Sequence, residues 1–175
     1  TPLAALLDSR PALVAVGMNG APLTAVHGAP ARLVTPGLYG FVGATKWLTR
    51  LTVTRYADAR AYWTTRGWAD RAPVRLAARI DTPRSGAGLT AGTIAVGGVA
   101  WSADTGISGV QVRIDDGPWQ RAQLGPDLGG YAWRQWWLAW PATAGVHRLT
   151  CRAIDGAGTA QEDLVRDVAP DGASG

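Results

Sequence analysis

Cysteine is nearly absent from this 175-residue chain. Cys151 stands alone, which excludes an internal disulfide and any metal site built from cysteines. Histidine is almost as scarce: His27 and His147 lie far apart with no ligand spacing, so no self-contained zinc site is expected. No run of eighteen apolar residues occurs, and with it no transmembrane helix. The opening residues T-P-L-A-A-L-L-D-S-R have no basic stretch leading into an apolar one. They read as the middle of a longer protein rather than as a signal peptide. Lysine occurs once, as Lys46, and the arginines are dispersed along the chain. That pattern argues against a nucleic-acid surface, and no nucleic-acid partner is expected.

Charge is unevenly spread among the residues that are present. Residues 1–78 carry nine Lys/Arg against three acids, whereas residues 79–175 carry eight against ten. A basic N-terminal part suits an anionic ligand. A hydrophobic fraction of 47% with 17% charged residues describes a soluble chain able to bury a core.

Two textures follow one another. Up to about residue 73 the elements are few and short. P-A-L-V-A-V-G-M-N-G-A-P-L reads as a strand, a turn at Asn19-Gly20 and a return, because Asn-Gly supplies the positive φ angles of a tight hairpin. Leu33–Thr35 and the alternating Leu48–Thr54 read as further strands, and Asp58 as the cap of a short helix ending at Gly67. These elements make a poor core of their own and look like the end of a larger α+β domain. From Val74 onward, strand-like segments recur between Gly- and Pro-rich turns. They are Val74–Asp81, Thr93–Ser102, Gly109–Asp115, Trp119–Leu124, Tyr131–Trp140 and Gly145–Ile154. Such spacing predicts an antiparallel β-sandwich of immunoglobulin-like type, mainly β overall. Val110–Ile114 followed by Asp115-Asp116-Gly117 and Trp119 predicts a hairpin.

Chemistry concentrates between His27 and Arg50: H-G-A-P-A-R-L-V-T-P-G-L-Y-G-F-V-G-A-T-K-W-L-T-R. Arg32 can pair bidentately with phosphate oxygens, and Lys46 adds a mobile point charge. Gly40 and Gly43 let backbone N–H groups approach an anion, and the His27 imidazole can hydrogen-bond a ring heteroatom. Alone, His27 reads as a turn histidine and Arg32 and Lys46 as solvated charges. Their grouping around a P-G turn argues for a ligand.

The same run resembles the pterin-gripping segment of the sulfite oxidase family of molybdenum enzymes, with H-G-x-P-x-R, a P-G turn and K-W-L-x-R. The second half is similar to that family's dimerisation domain. It matches in A-W-S at 100–102, G-I-S-G-V-Q-V at 106–112, D-G-x-W at 116–119, W-R-x-W at 133–136 and R-A-x-D-x-x-G-x-x-Q at 152–161. The resemblance implies residues 1–73 as the C-terminal portion of a molybdopterin-binding domain and 74–175 as an immunoglobulin-like dimerisation domain. It implies a molybdenum–molybdopterin cofactor in the parent protein. His27 would bond the pterin, Arg32 its phosphate, and Ala44, Thr45 and Lys46 would close around it, with Gly40, Gly43 and Arg50 secondary. The metal's thiolate would come from an upstream part of the same polypeptide, so no catalytic or metal-ligating residue is expected in this segment, which would be inactive alone. A homodimer through the sandwich, a small oxyanion or sulfoxide substrate, and an extracytoplasmic or membrane-attached parent are also implied.

Nine tryptophans invite a second reading, an immunoglobulin-like binding module whose tryptophan-rich face holds a carbohydrate or protein partner. In a strand, Trp136, Leu138 and Trp140 point to one face and Trp133 and Trp137 to the other. Arg134 either stacks on an indole or reaches toward the cofactor domain. Cys151, inside a sandwich strand, reads as a buried structural thiol.

Overall fold

The computed structural model describes residues 1–172. The described residues divide into two compact units, one comprising Thr1–Val74 with residues 167–172, the other Arg75–Arg166.

The first unit is built from short pieces: α1 (Ala4–Leu7), β1 (Leu13–Ala15), β2 (Gly17–Met18), β3 (Ala21–Pro22), β4 (Arg32–Val34), α2 (Gly40–Gly43) and β5 (Ala44–Thr45). β1, β4 and β5 form an antiparallel sheet in that order, and β2 pairs with β3. Asn19 (φ +53°) and Gly20 (φ +77°) make the predicted hairpin turn. Only Ala5, Leu33, Ala72 and the polar Thr35 are among the buried non-glycine side chains described here, while Leu13, Val14, Val16, Trp47, Leu51 and Val53 are exposed. The returning tail is held by Ala69 N–H donating to Pro170 O at 2.9 Å.

Two expectations fail in this unit. Leu48–Thr54 forms no strand and joins no ladder, because its alternation supplies faces without a neighbouring strand edge to pair with. The helix foreseen from Asp58 is a 3-10 turn at Thr64–Arg66, preceded by Trp63 and closed by Gly67. Asp58 instead pairs with Arg55 at 3.5 Å.

The second unit contains β6 (Ala77–Thr82), β7 (Gly92–Trp101), β8 (Ile107–Ile114), β9 (Gln120–Arg121), β10 (Gln123–Leu124), β11 (Arg134–Ala142) and β12 (Leu149–Asp155). One sheet runs β10-β11-β7-β6 and the other β12-β8-β9, all antiparallel. This order, with the first, second and fourth long strands (β6, β7 and β11) in one sheet and the third and fifth (β8 and β12) in the other, is that of an immunoglobulin-like sandwich. The predicted single strand at Trp119–Leu124 is in fact two. The chain switches sheets at Ala122, which is buried and donates to Val110 O at 2.9 Å.

Alternation decides what lies inside. Val110 and Val112 of β8, Val96 and Ala100 of β7, and Ala153 of β12 are fully buried, with Trp136 only 2% exposed. Leu138 and Trp140 pack on this core, and Trp133 and Trp137 face outward as the period of two requires. Trp133 stacks on Trp101, ring centroids 5.1 Å apart. Arg134 remains within the sandwich, donating to Asp127 Oδ2 (2.6 Å) and Gly125 O (3.0 Å). Buried Gln161 uses one oxygen twice: Oε1 accepts from Ala78 N–H of β6 at 2.8 Å and from Ala153 N–H of β12 at 3.1 Å.

Candidate cofactor cradle

His27 ends a 3-10 turn (Ala25–His27) that Gly28 closes in the left-handed region at φ +107°. Thr24 Oγ1 lies 2.8 Å from His27 Nδ1, which fixes the exposed ring and leaves Nε2 for a ligand. Downstream, β4 and β5 pair with Leu33 opposite Thr45 and Val34 opposite Ala44. That register brings Arg32, just before the paired residues of β4, beside Lys46, just after β5.

Gly28 sits between the two cations. A Cβ there would stand 3.1 Å from Lys46 Cβ and 3.2 Å from Arg32 Cβ, so only glycine combines this backbone angle with so close an approach. Backbone bonds pin the arrangement: Trp47 N–H to Gly28 O at 3.2 Å and Leu48 N–H to Ala31 O at 2.9 Å. The Trp47 indole N–H donates to Ala25 O at 2.9 Å, tying the Lys46 loop to the turn that carries His27. Trp47 adopts φ +54°, a conformation that a bulky side chain rarely takes. Lys46 Nζ lies 5.8 Å from the centre of its ring.

Arg32 is the least satisfied member. One Nη donates to His27 O at a long 3.5 Å, while Nε is buried and has no hydrogen-bond partner. An unpaired buried donor costs about 1–3 kcal/mol, more when charged, and an oxyanion placed there removes that cost. The donor set therefore fits a phosphate: a buried guanidinium N–H seeking an acceptor, a flexible ammonium beside it, and a side-chain-free gap at Gly28.

The other sequence-selected residues are placed less evenly. Ala44 is half-buried and Thr45 exposed on β5, adjoining the cradle. Arg50 is exposed farther along the unpaired segment. Gly43 serves packing, since a Cβ there would lie 2.8 Å from Leu38 Cβ and 3.0 Å from Thr35 O, whereas Gly40 faces open space. Gly28, Thr24 and Trp47 were not singled out from sequence. Gly28 had a signal, its place after His27 in H-G-x-P-x-R, but nothing in sequence marks a tryptophan with positive φ.

Cys151 lies in β12 of the sandwich, where burial pushes its thiol up to about 11, so it stays protonated at neutral pH. That chemistry is the opposite of a reactive thiolate.

The model of the oxidoreductase molybdopterin binding domain family matches residues 1–63, the stretch that holds this cradle. Sulfite oxidase from human mitochondria is 32% identical over 193 residues, an alignment spanning 95% of this chain and 35% of that protein. The chain is thus similar to a sulfite oxidase along nearly its whole length. Chicken sulfite oxidase, 29% identical over 187 residues, is covered to 40% of its length and covers 94% of this chain. Among solved structures, the sulfane dehydrogenase SoxCD from Paracoccus pantotrophus superposes with a TM-score of 0.72 at 26% identity, over 92% of this chain and 44% of its own. The chain thus spans less than half the length of each of these proteins. Its mainly β, antiparallel architecture is that of the family, and no helix among the described residues is long and apolar enough to cross a membrane.

Proposed function

We propose that residues 1–73 form the closing part of a molybdopterin site in an oxidoreductase of sulfite oxidase type, and that residues 74–175 are its dimerisation domain. The observation that carries this reading is Arg32, whose buried Nε has no acceptor and whose side chain shares the Gly28 gap with Lys46. Arg32 takes the cofactor's phosphate through charge-assisted hydrogen bonds, Lys46 neutralises the remaining charge, and His27 Nε2 meets a heteroatom of the pterin. The β5 residues Ala44 and Thr45 wall the same ligand. When bound, the molybdenum–molybdopterin group would supply two-electron oxygen-atom chemistry.

The thiolate and the substrate-facing groups belong to an upstream part of the polypeptide, so this segment is catalytically incomplete by itself. Two features favour that view: the protonated Cys151 thiol, and the exposed apolar side chains of the first unit, which such a part would cover. The full-length protein acts on a small oxyanion or sulfoxide, pairs with a second copy through the sandwich, and works outside the cytoplasm, free or membrane-attached.

The test is cofactor retention in the purified full-length protein. Arg32→Ala lowers bound molybdopterin and molybdenum sharply, through loss of a pair worth roughly 1.5–3 kcal/mol. Lys46→Ala does less, because water replaces a mobile ammonium more readily. Equal cofactor content in wild type and Arg32→Ala would overturn the assignment.

A further inference from the structure

We infer that the sandwich carries a separate binding site for a small organic acid, a carboxylate on an apolar body, at the end of its core beneath the β6–β7 connection. A cavity of about 450 Å³ opens there, within the range of roughly 300–1,000 Å³ usual for small-molecule sites. Its floor is apolar: Ile80, Ile94, Trp140 and Leu149 line it, and Ile80, Trp140 and Leu149 also pack on the core. Leu89, from the β6–β7 connection, lines it as well and is 54% exposed, an apolar side chain without full cover.

The ionisable side chains of the lining are all basic. Arg84, His147 and Arg148 all border the cavity, and no acidic residue does. Arg84 forms no ion pair among the described residues. Arg148 reaches only Asp116, at 3.7 Å and largely in solvent. His147 is locked in place: Nδ1 lies 2.9 Å from Asp115 Oδ2, Nε2 3.2 Å from Thr143 O, and its ring meets Trp140 edge-on at 5.1 Å. The free guanidinium of Arg84 matches one carboxylate, and the indole and aliphatic floor match the apolar body behind it. A cation would meet Arg84 unscreened, and a fully polar anion would leave the floor unfilled.

Phenylacetate is a suitable probe, titrated into the full chain while the Trp140 indole, the Leu89 amide and the His147 ring are followed by NMR. The site predicts saturable shifts at all three. Arg84→Gln, an exposed position, weakens binding on the order of tenfold, and the neutral phenylacetamide binds correspondingly more weakly. Ala91→Leu narrows the cavity without changing charge and reduces binding of both. Absence of saturation, equal affinity for acid and amide, or indifference to Arg84→Gln and Ala91→Leu would each overturn the proposal. It is independent of the cofactor cradle, whose failure would leave it standing.

Discussion

The sandwich buries five apolar residues completely (Val96, Ala100, Val110, Val112 and Ala153), whereas Ala72 alone is so placed in the described part of the first unit. Supply of apolar residues is not the difference. The first unit has Leu13 and Val14 side by side on β1, both nearly half exposed, and Val53 and Leu51 further along. In an alternating strand, adjacent residues point to opposite faces, so both faces of β1 lack cover. Three strands of two or three residues cannot provide the second layer that a sheet needs, while two facing sheets of longer strands provide it for each other. One unit carries its own core; the other presents half of one.

The largest effect that would break this comparison is expected at the centre of the sandwich. Trp136→Ala costs about 3–5 kcal/mol, read as a lowered urea midpoint, whereas Leu33→Ala on β4 falls near about 2 kcal/mol, the low end for such truncations. Equal costs would mean the first unit has a comparable core. Next, within the first unit, Gly43→Ala forces a Cβ against Leu38 and the Thr35 carbonyl and costs about 1–3 kcal/mol. Gly40→Ala, three residues earlier in open space, leaves thermal stability nearly unchanged. Similar melting shifts for the two would refute the packing role given to Gly43.

The smallest effect belongs to the Asp115–His147 pair. Its hydrogen bond raises the His147 pKa above 6.5, and the same bond, with the Arg148 amide, lowers that of Asp115 below 3.8. The histidine's contribution is present below 6.5 and is lost as pH rises through its folded value. The aspartate's is present above 3.8 and is lost as pH falls through its own. The link is therefore strongest between about pH 4 and 6.5. An NMR titration of His147 in Asp115→Asn should give a lower pKa than wild type, and an unchanged value would remove the pair from the account.

Much of the sandwich was legible because its residues obey a period of two over strands long enough to reveal it. Trp136 and Trp140 were separable from Trp133 and Trp137 on that ground alone, and the Asp115–Gly117 hairpin by its turn residues. Ala122 was not: a switch between sheets leaves alternation intact, and only the pairing partners reveal it. Leu48–Thr54 failed for a related reason, since a strand is defined by a neighbour that its own sequence does not contain. In the cradle, charge type and spacing pointed to Arg32 and Lys46. Gly28 and Trp47 were missed because their roles are backbone angles and close approaches that exist only once β4 and β5 pair.

Gln161 joins strands of two sheets that share no ladder. One carboxamide oxygen receives an amide from β6 and another from β12, so the two edges cannot part without breaking one of these bonds. The residue behaves as a rivet between plates. Opening of the sandwich is thereby made concerted, and partly unzipped forms, whose bare edges would recruit other chains, are kept rare.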